Sequence, residues 1–362
     1  MAKHANLNEL FTGIANAIRN KTGETGRIAA SDFPSVIKNL EGGGCPNGTR
    51  WTQSSITSGS FRSIYNANGI WVAGSSNNKG LYYSTDGKTW TQSNITSGSF
   101  RSIYNANGIW VAGSSNNKGL YYSLDGKTWT QSNIESGWFY TVHNANGIWV
   151  AGNYNSNGLY YSTDGKTWTQ SNITTGDLSS VYNANGIWVA GGNHGLYYST
   201  DGMSWTQSNI ITGYFTIVYN ANGIWVAGSG YDTGVYYSTD GKTWTQSNIT
   251  SGGIHSLHNA NGIWVVGSGS DKGLYCSTDG INWTQSTVTT GYFISVYNAN
   301  GIWVAGSNSN NGLYYSTDGM NWIQSNITTG YFYTVYNANG IWVAGSGSGY
   351  GLYYSVSWQP AK

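Results

Sequence analysis

From Thr49 onward the chain repeats one pattern of apolar and polar positions. In one unit Phe100 to Asn105 alternates as a strand, Asn107-Gly108 signals a two-residue turn, and Ile109 to Gly113 forms a second strand. A variable loop follows. Leu120 to Ser123 then makes a third strand, Asp125-Gly126 turns the chain, and Thr128 to Gln131 makes a fourth. The tetrapeptide Asn-Ala-Asn-Gly recurs, ending at Gly69, Gly108, Gly147, Gly186, Gly223, Gly262, Gly301 and Gly340, always 39 residues apart except for 37 between Gly186 and Gly223. Four antiparallel strands in about forty residues describe a propeller blade, because a solenoid coil would need parallel strands or helices. The predicted fold class is all-β, an eight-bladed β-propeller over residues 49–362. Its array starts out of phase: Arg50 to Ser54 reads as a fourth strand with no blade before it, and the last unit stops after Leu352 to Ser355. The ring is therefore expected to close by adding the N-terminal strand to the last blade, with Trp358 as the competing source of that strand.

Ahead of the array, residues 1–41 carry helical periodicity. Leu7, Leu10, Phe11, Ile14 and Ile18 share a face, Asn6 and Glu9 form a capping pair, and Gly23 ends the helix. A second helix is expected from Asp32, with Phe33, Val36, Ile37 and Leu40 apolar and Pro34 in its first turn. Two such helices cannot bury a self-sufficient core, so the module is expected to self-associate or to dock on a larger assembly. Residues 42–48, with Gly42-Gly43-Gly44, read as a linker.

Composition narrows the classes further. Charged residues make up 9% of the chain, against 52 glycines and 29 tyrosines, as suits short strands and tight turns. A net charge of +1 leaves no basic stripe for nucleic acid. No apolar run reaches membrane-span length and no secretory leader is seen, so synthesis in a bacterial cytoplasm without membrane insertion is expected. Cys45 and Cys276 lie in unrelated settings and predict no disulfide framework.

Two resemblances add context. The run Leu10 to Gly23, followed by Ile28 to Ile37, resembles a segment of tail and minor structural proteins of phages that infect Gram-positive bacteria. It implies a virion location and other phage tail proteins as partners of the N-terminal helices. The heptapeptide Ser-x-Asp-Gly-x-x-Trp, first at Ser84 to Trp90 and then from Ser123, Ser162, Ser199, Ser238, Ser277 and Ser316, resembles the Asp-box of sialidases and other propellers, one residue shorter. That resemblance implies a structural hairpin remote from any active site. The turn chemistry agrees, since an aspartate accepts N–H groups of its own turn. Asp86, Asp125, Asp164, Asp201, Asp240, Asp279 and Asp318 are accordingly read as turn residues, with no metal or cofactor.

While the two hairpins barely change between units, variation collects at the entry to the first strand and in the loop after the second. In an up-and-down blade both sites fall on one face of the disc. At the strand entry, simple alternation puts the first and third residues on one side and the constant Phe or Leu on the other. The candidate ligand-binding residues are therefore Arg101, Trp138, Tyr140, Asp177, Tyr214, His255, Tyr292, Tyr331 and Tyr333 at the entries, with Tyr154, His194 and Tyr231 in the loops. Rigid aromatics among short polar groups make an adaptable binding surface, and aromatic faces stack on sugars.

Enzymatic readings are disfavoured. Five arginines in all leave no cluster of the kind sialidases use, the histidines have no metal-ligand spacing, and Asp177, Asp232 and Asp271 stand apart. His143 and His258 replace tyrosines and read as packing variants. The expected function is phage receptor binding through a bacterial surface glycan or another surface receptor, with homo-oligomers as a further possibility. The alternative is a structural or protein-protein propeller of the virion.

Overall fold

The computed structural model describes residues 47–356 except Asp232 and Ser348. The expected helical module, Cys45, most of the linker and Trp358 lie outside the described residues. Among those described, all regular structure is strand, arranged as eight antiparallel four-stranded sheets. Blade 1 runs Phe61–Ala67, Ile70–Ser75, Leu81–Ser84, Thr91–Gln92, and the later blades repeat it. The chain is an eight-bladed propeller.

Blade 8 supplies only Phe332–Ala338, Ile341–Ser346 and Leu352–Ser355, and its fourth strand is Thr52–Gln53 from the start of the array. Thr52 pairs with Tyr354 and Gln53 with Tyr353. Two further contacts secure the seam: the Gly48 N–H donates to Ser355 Oγ at 2.9 Å, and Asn47 donates to the Gly340 carbonyl. The last residues of the expected linker are thus tied to the last blade.

The first turn of each blade is an Asn-Gly pair with both residues at positive φ, 52° at Asn68 and 77° at Gly69, the geometry that matches the twist of a two-residue hairpin. The second strand is buried after its first residue because the neighbouring blades cover both its sides. Its glycine is needed there: a Cβ on Gly113 would lie 2.6 Å from the Phe139 carbonyl oxygen of the next blade. The core is a ring of inter-blade layers, such as Val111 and Leu120 of blade 2 against Phe139, Val142, Trp149 and Trp168 of blade 3. Valine, leucine and tryptophan recur at these positions because each layer has the same shape to fill.

Side-chain clamps reinforce the layers. The Asn94 amide donates to the Trp129 carbonyl at 2.8 Å and accepts the Trp129 N–H at 2.8 Å, linking one blade to the next. Asn133, Asn172, Asn209 and Asn248 at the same register make this clamp, and Asn326 makes it across the seam to Trp51. Ser55, which stands where the next repeat has Asn94, retains one of the two bonds, accepting the Trp90 N–H at 2.8 Å.

Candidate functional site

The constant hairpins are closed by hydrogen bonds within themselves. Asp125 Oδ1 accepts the N–H groups of Lys127 and Thr128, both at 2.8 Å, and the Ser123 hydroxyl at 2.9 Å. The other six aspartates do the same. Partial burial works against their charge, but these donors outweigh it and hold the carboxyls below the ordinary aspartate pKa. Lys127 of the same turn lies 5.8 Å above the Tyr83 ring of the previous blade.

On the opposite face the strand entries do something that simple alternation does not foresee. In blade 1 Phe61 pairs with Ser75 and Ser63 with Gly74, so Arg62 is an extra, bulged residue; all eight blades repeat this. A bulge releases its residue from the ladder and re-aims it, here toward the propeller axis. The eight bulged side chains surround a cavity of about 450 Å³. Arg62, Arg101, Tyr140 and Tyr333 take one half of its wall, Ser179, Thr216, His255 and Ile294 the other, and Tyr214, Tyr292, Gly269 and Asn308 complete it.

Three residues further along the same strands, about 10 Å deeper, a second ring encircles the axis. It consists of Tyr65, Tyr104, His143, Tyr182, Tyr219, His258, Tyr297 and Tyr336, with neighbouring centroids 4.6 to 5.7 Å apart and closure between Tyr336 and Tyr65 at 5.3 Å. Each ring also meets the edge of a tryptophan of the next blade, as Tyr104 does Trp149. Burial raises the phenol pKa values and pushes both histidines down to about 4. His143 and His258 are therefore packed as neutral rings.

Six of the twelve candidate residues line the cavity: Arg101, Tyr140, Tyr214, His255, Tyr292 and Tyr333. The expected pairing of Trp138 with Tyr140, and of Tyr331 with Tyr333, is not what the bulge produces. Tyr140 and Tyr333 turn to the axis, whereas Trp138 and Tyr331 stay off the cavity wall, half-buried, with their carbonyls accepting the N–H groups of Tyr154 and Gly347. Asp177 accepts the Ser156 N–H at 2.9 Å, and Asp271 accepts the Gly291 N–H at 2.6 Å, so both tie loops of adjacent blades. Asp232 lies outside the described residues.

Of the loop candidates, His194 forms the tight turn of blade 4 with Asn193 and stays exposed, while Tyr154 and Tyr231 do not line the cavity but pack against its lining residues Tyr140 and Tyr214. Blade 4 is the 37-residue unit, and its two-residue turn lowers the rim. Across that gap Tyr154 of blade 3 reaches Tyr214 before blade 5, at 6.3 Å, and Tyr214 meets Tyr231 at 4.9 Å and Ser179 Oγ at 3.1 Å. An aromatic track thus leads from the cavity over blade 4.

The arginines also differ from expectation, since two of the five meet at the cavity. Arg62, Ser179, Thr216, Ile294, Gly269 and Asn308 were not among the candidates. The signal for Arg62 lies in the repeat itself, because it occupies the register of Arg101.

No family model matches the sequence, and no curated protein matches it significantly. Solved structures share its architecture. They include the computationally designed protein Ika8 (10% identity, TM-score 0.66, covering 84% of this chain and 98% of that one). The Saccharomyces cerevisiae protein Sqt1 gives 11% identity and a TM-score of 0.64, with 86% and 99% covered. YCF48 bound to a D1 peptide gives 14% identity and 0.58, with 87% and 98% covered. At these identities the likeness is one of fold, a scaffold suited to ligand or protein interaction.

Proposed function

We propose that the chain is a binding protein whose axial cavity and aromatic track take a bacterial surface saccharide, and that it serves as a receptor-recognition protein of a phage tail. One observation carries the binding reading. Eight geometrically equivalent bulges hold six kinds of residue, all aimed into one cavity, while the residue before each is always apolar (Phe, Leu or Ile) and the residue after is Ser or Thr in all blades but the fifth. An eight-fold frame with an asymmetric lining suits an asymmetric ligand. The volume fits a few sugar rings; the exposed Tyr292 ring offers a stacking face, and Tyr140 and Tyr333, packed against the arginines, offer hydroxyls. The lining combines two guanidiniums with neutral groups, a set suited to holding a ligand rather than to the paired-carboxylate chemistry of glycoside cleavage. The virion context rests on the N-terminal resemblance. Several copies on one particle would add avidity to a modest single site.

The test is a glycan array of bacterial cell-wall and capsular saccharides probed with the full chain. Binding is expected, with Tyr140→Ala and Tyr333→Ala each weakening it by about tenfold or more. Silence on the array, together with capture of isolated virion proteins that the same two changes abolish, would replace the saccharide by a protein partner.

A further inference from the structure

We propose that Arg62 and Arg101 form a subsite for a compact anion, a carboxylate or phosphate carried by the bound saccharide, held by both guanidiniums at the cavity wall. The inference rests on the reading of the cavity as a saccharide site and gives that site a charge requirement.

The two arginines occupy equivalent bulges of adjacent blades. Each is covered on the side away from the other arginine by a tyrosine of the flanking blade: Arg62 Cζ lies 4.1 Å from the ring centroid of Tyr333 in blade 8, and Arg101 Cζ lies 4.2 Å from that of Tyr140 in blade 3. Tyr140 is itself stacked on Tyr154, with centroids 4.1 Å apart and planes at 11°. Two groups that close to one ring must sit on its opposite faces, so Arg101, Tyr140 and Tyr154 form a three-layer stack. Stacking fixes a guanidinium plane and occupies its face, but leaves the N–H edge available to an oxyanion.

Charge is the second argument. Among the described residues neither guanidinium has a carboxylate partner, and no acidic side chain lines the cavity. Asp177 and Asp271, on the same face, are engaged with backbone N–H groups of the loops. The positive charge is therefore uncompensated. Burial, together with repulsion from Arg101, holds the Arg62 pKa below its ordinary value, and burial with the same guanidinium lowers His255. An anion between the arginines relieves that repulsion and accepts their N–H groups in the bidentate manner that suits carboxylate and phosphate oxygens. Ile294, Thr216 and Ser179 of the other half are neutral, so the charge preference is confined to one side of the cavity.

The experiment measures binding of glucose, glucuronate, glucose 6-phosphate and inorganic phosphate to the full chain by calorimetry and ligand-observed NMR. Glucuronate or glucose 6-phosphate is expected to bind about tenfold or more tightly than glucose at low salt, with the advantage shrinking as sodium chloride is added. Which of the two prevails distinguishes a uronic acid from a sugar phosphate. Arg62→Gln and Arg101→Gln should each bring the charged sugars down to the affinity that glucose has for the same variant, with the melting temperature unchanged. Arg62→Lys, which keeps charge but not the planar stack, should be intermediate. Equal binding of all three sugars, unaltered in the arginine variants, would overturn the subsite and leave the saccharide reading standing. Phosphate binding lost in those variants, with no saccharide bound, would keep the subsite and overturn the saccharide reading. No binding of any probe would overturn both.

Discussion

The bulged residues and the residues three positions further along the same strands both circle the propeller axis, yet one ring is Arg, Arg, Tyr, Ser, Thr, His, Ile, Tyr and the other is six tyrosines and two histidines. The deeper ring is closed. Each member touches two neighbours and a tryptophan of the next blade, so any change of size is felt in three directions. The upper ring pairs only Arg62 with Tyr333 and Arg101 with Tyr140 and forms no closed circle of ring contacts, because a bulge removes its residue from the ladder and points it toward the cavity. Identical backbone thus yields a structural ring at one depth and a specificity ring at another.

Substitutions should expose this difference, the largest effect coming from the deeper ring. Tyr104→Ala removes contacts with Tyr65, His143 and Trp149 and should cost about 3 kcal/mol in urea denaturation. A loss no greater than that of a bulge substitution would erase the distinction between the rings. Acid comes next. His143 and His258 have pKa values of about 4 in the fold against 6.5 ordinarily. Below pH 6.5 the unfolded chain therefore gains protons that the folded ring does not accept until about pH 4. Stability should be full above pH 6.5, fall through that window and level off below it, by on the order of 3 kcal/mol for each histidine. The double variant His143→Tyr with His258→Tyr adopts the residue of the other six positions and should flatten the melting temperature over that range. An equally steep decline in the double variant would remove the histidines as its cause. The smallest effect belongs to the bulge: Ile294→Thr should change stability by less than about 1 kcal/mol while altering ligand preference.

Much of the fold was legible because the repeat states it eight times. Asn-Gly marks the first turn, where both residues need positive φ, and the early strand Thr52–Gln53 could be matched to the incomplete last unit by counting. The turn aspartates were equally readable, since their partners lie two and three residues away. At the site the repeats mark the variable face, but strict alternation pairs Trp138 with Tyr140 and Tyr331 with Tyr333, and the one-residue bulge breaks that alternation. No residue type marks the bulge, because its position holds anything from serine to arginine. The shortened blade 4 was visible as a spacing of 37, but the contact it permits between Tyr154 and Tyr214 spans a whole blade.

The sequence by itself determined the strands, their turns and the eight repeats, since those depend on near neighbours and on a period repeated along the chain, and it left Thr52–Gln53 and Trp358 as the two candidates for closing the ring. The tertiary structure decided which variable residues meet. Arg62 and Tyr333 stand at opposite ends of the array, and only ring closure brings blade 8 beside blade 1 and sets the tyrosine on the guanidinium. Only the bulge, a property of two paired strands rather than of either alone, turns both side chains toward the axis.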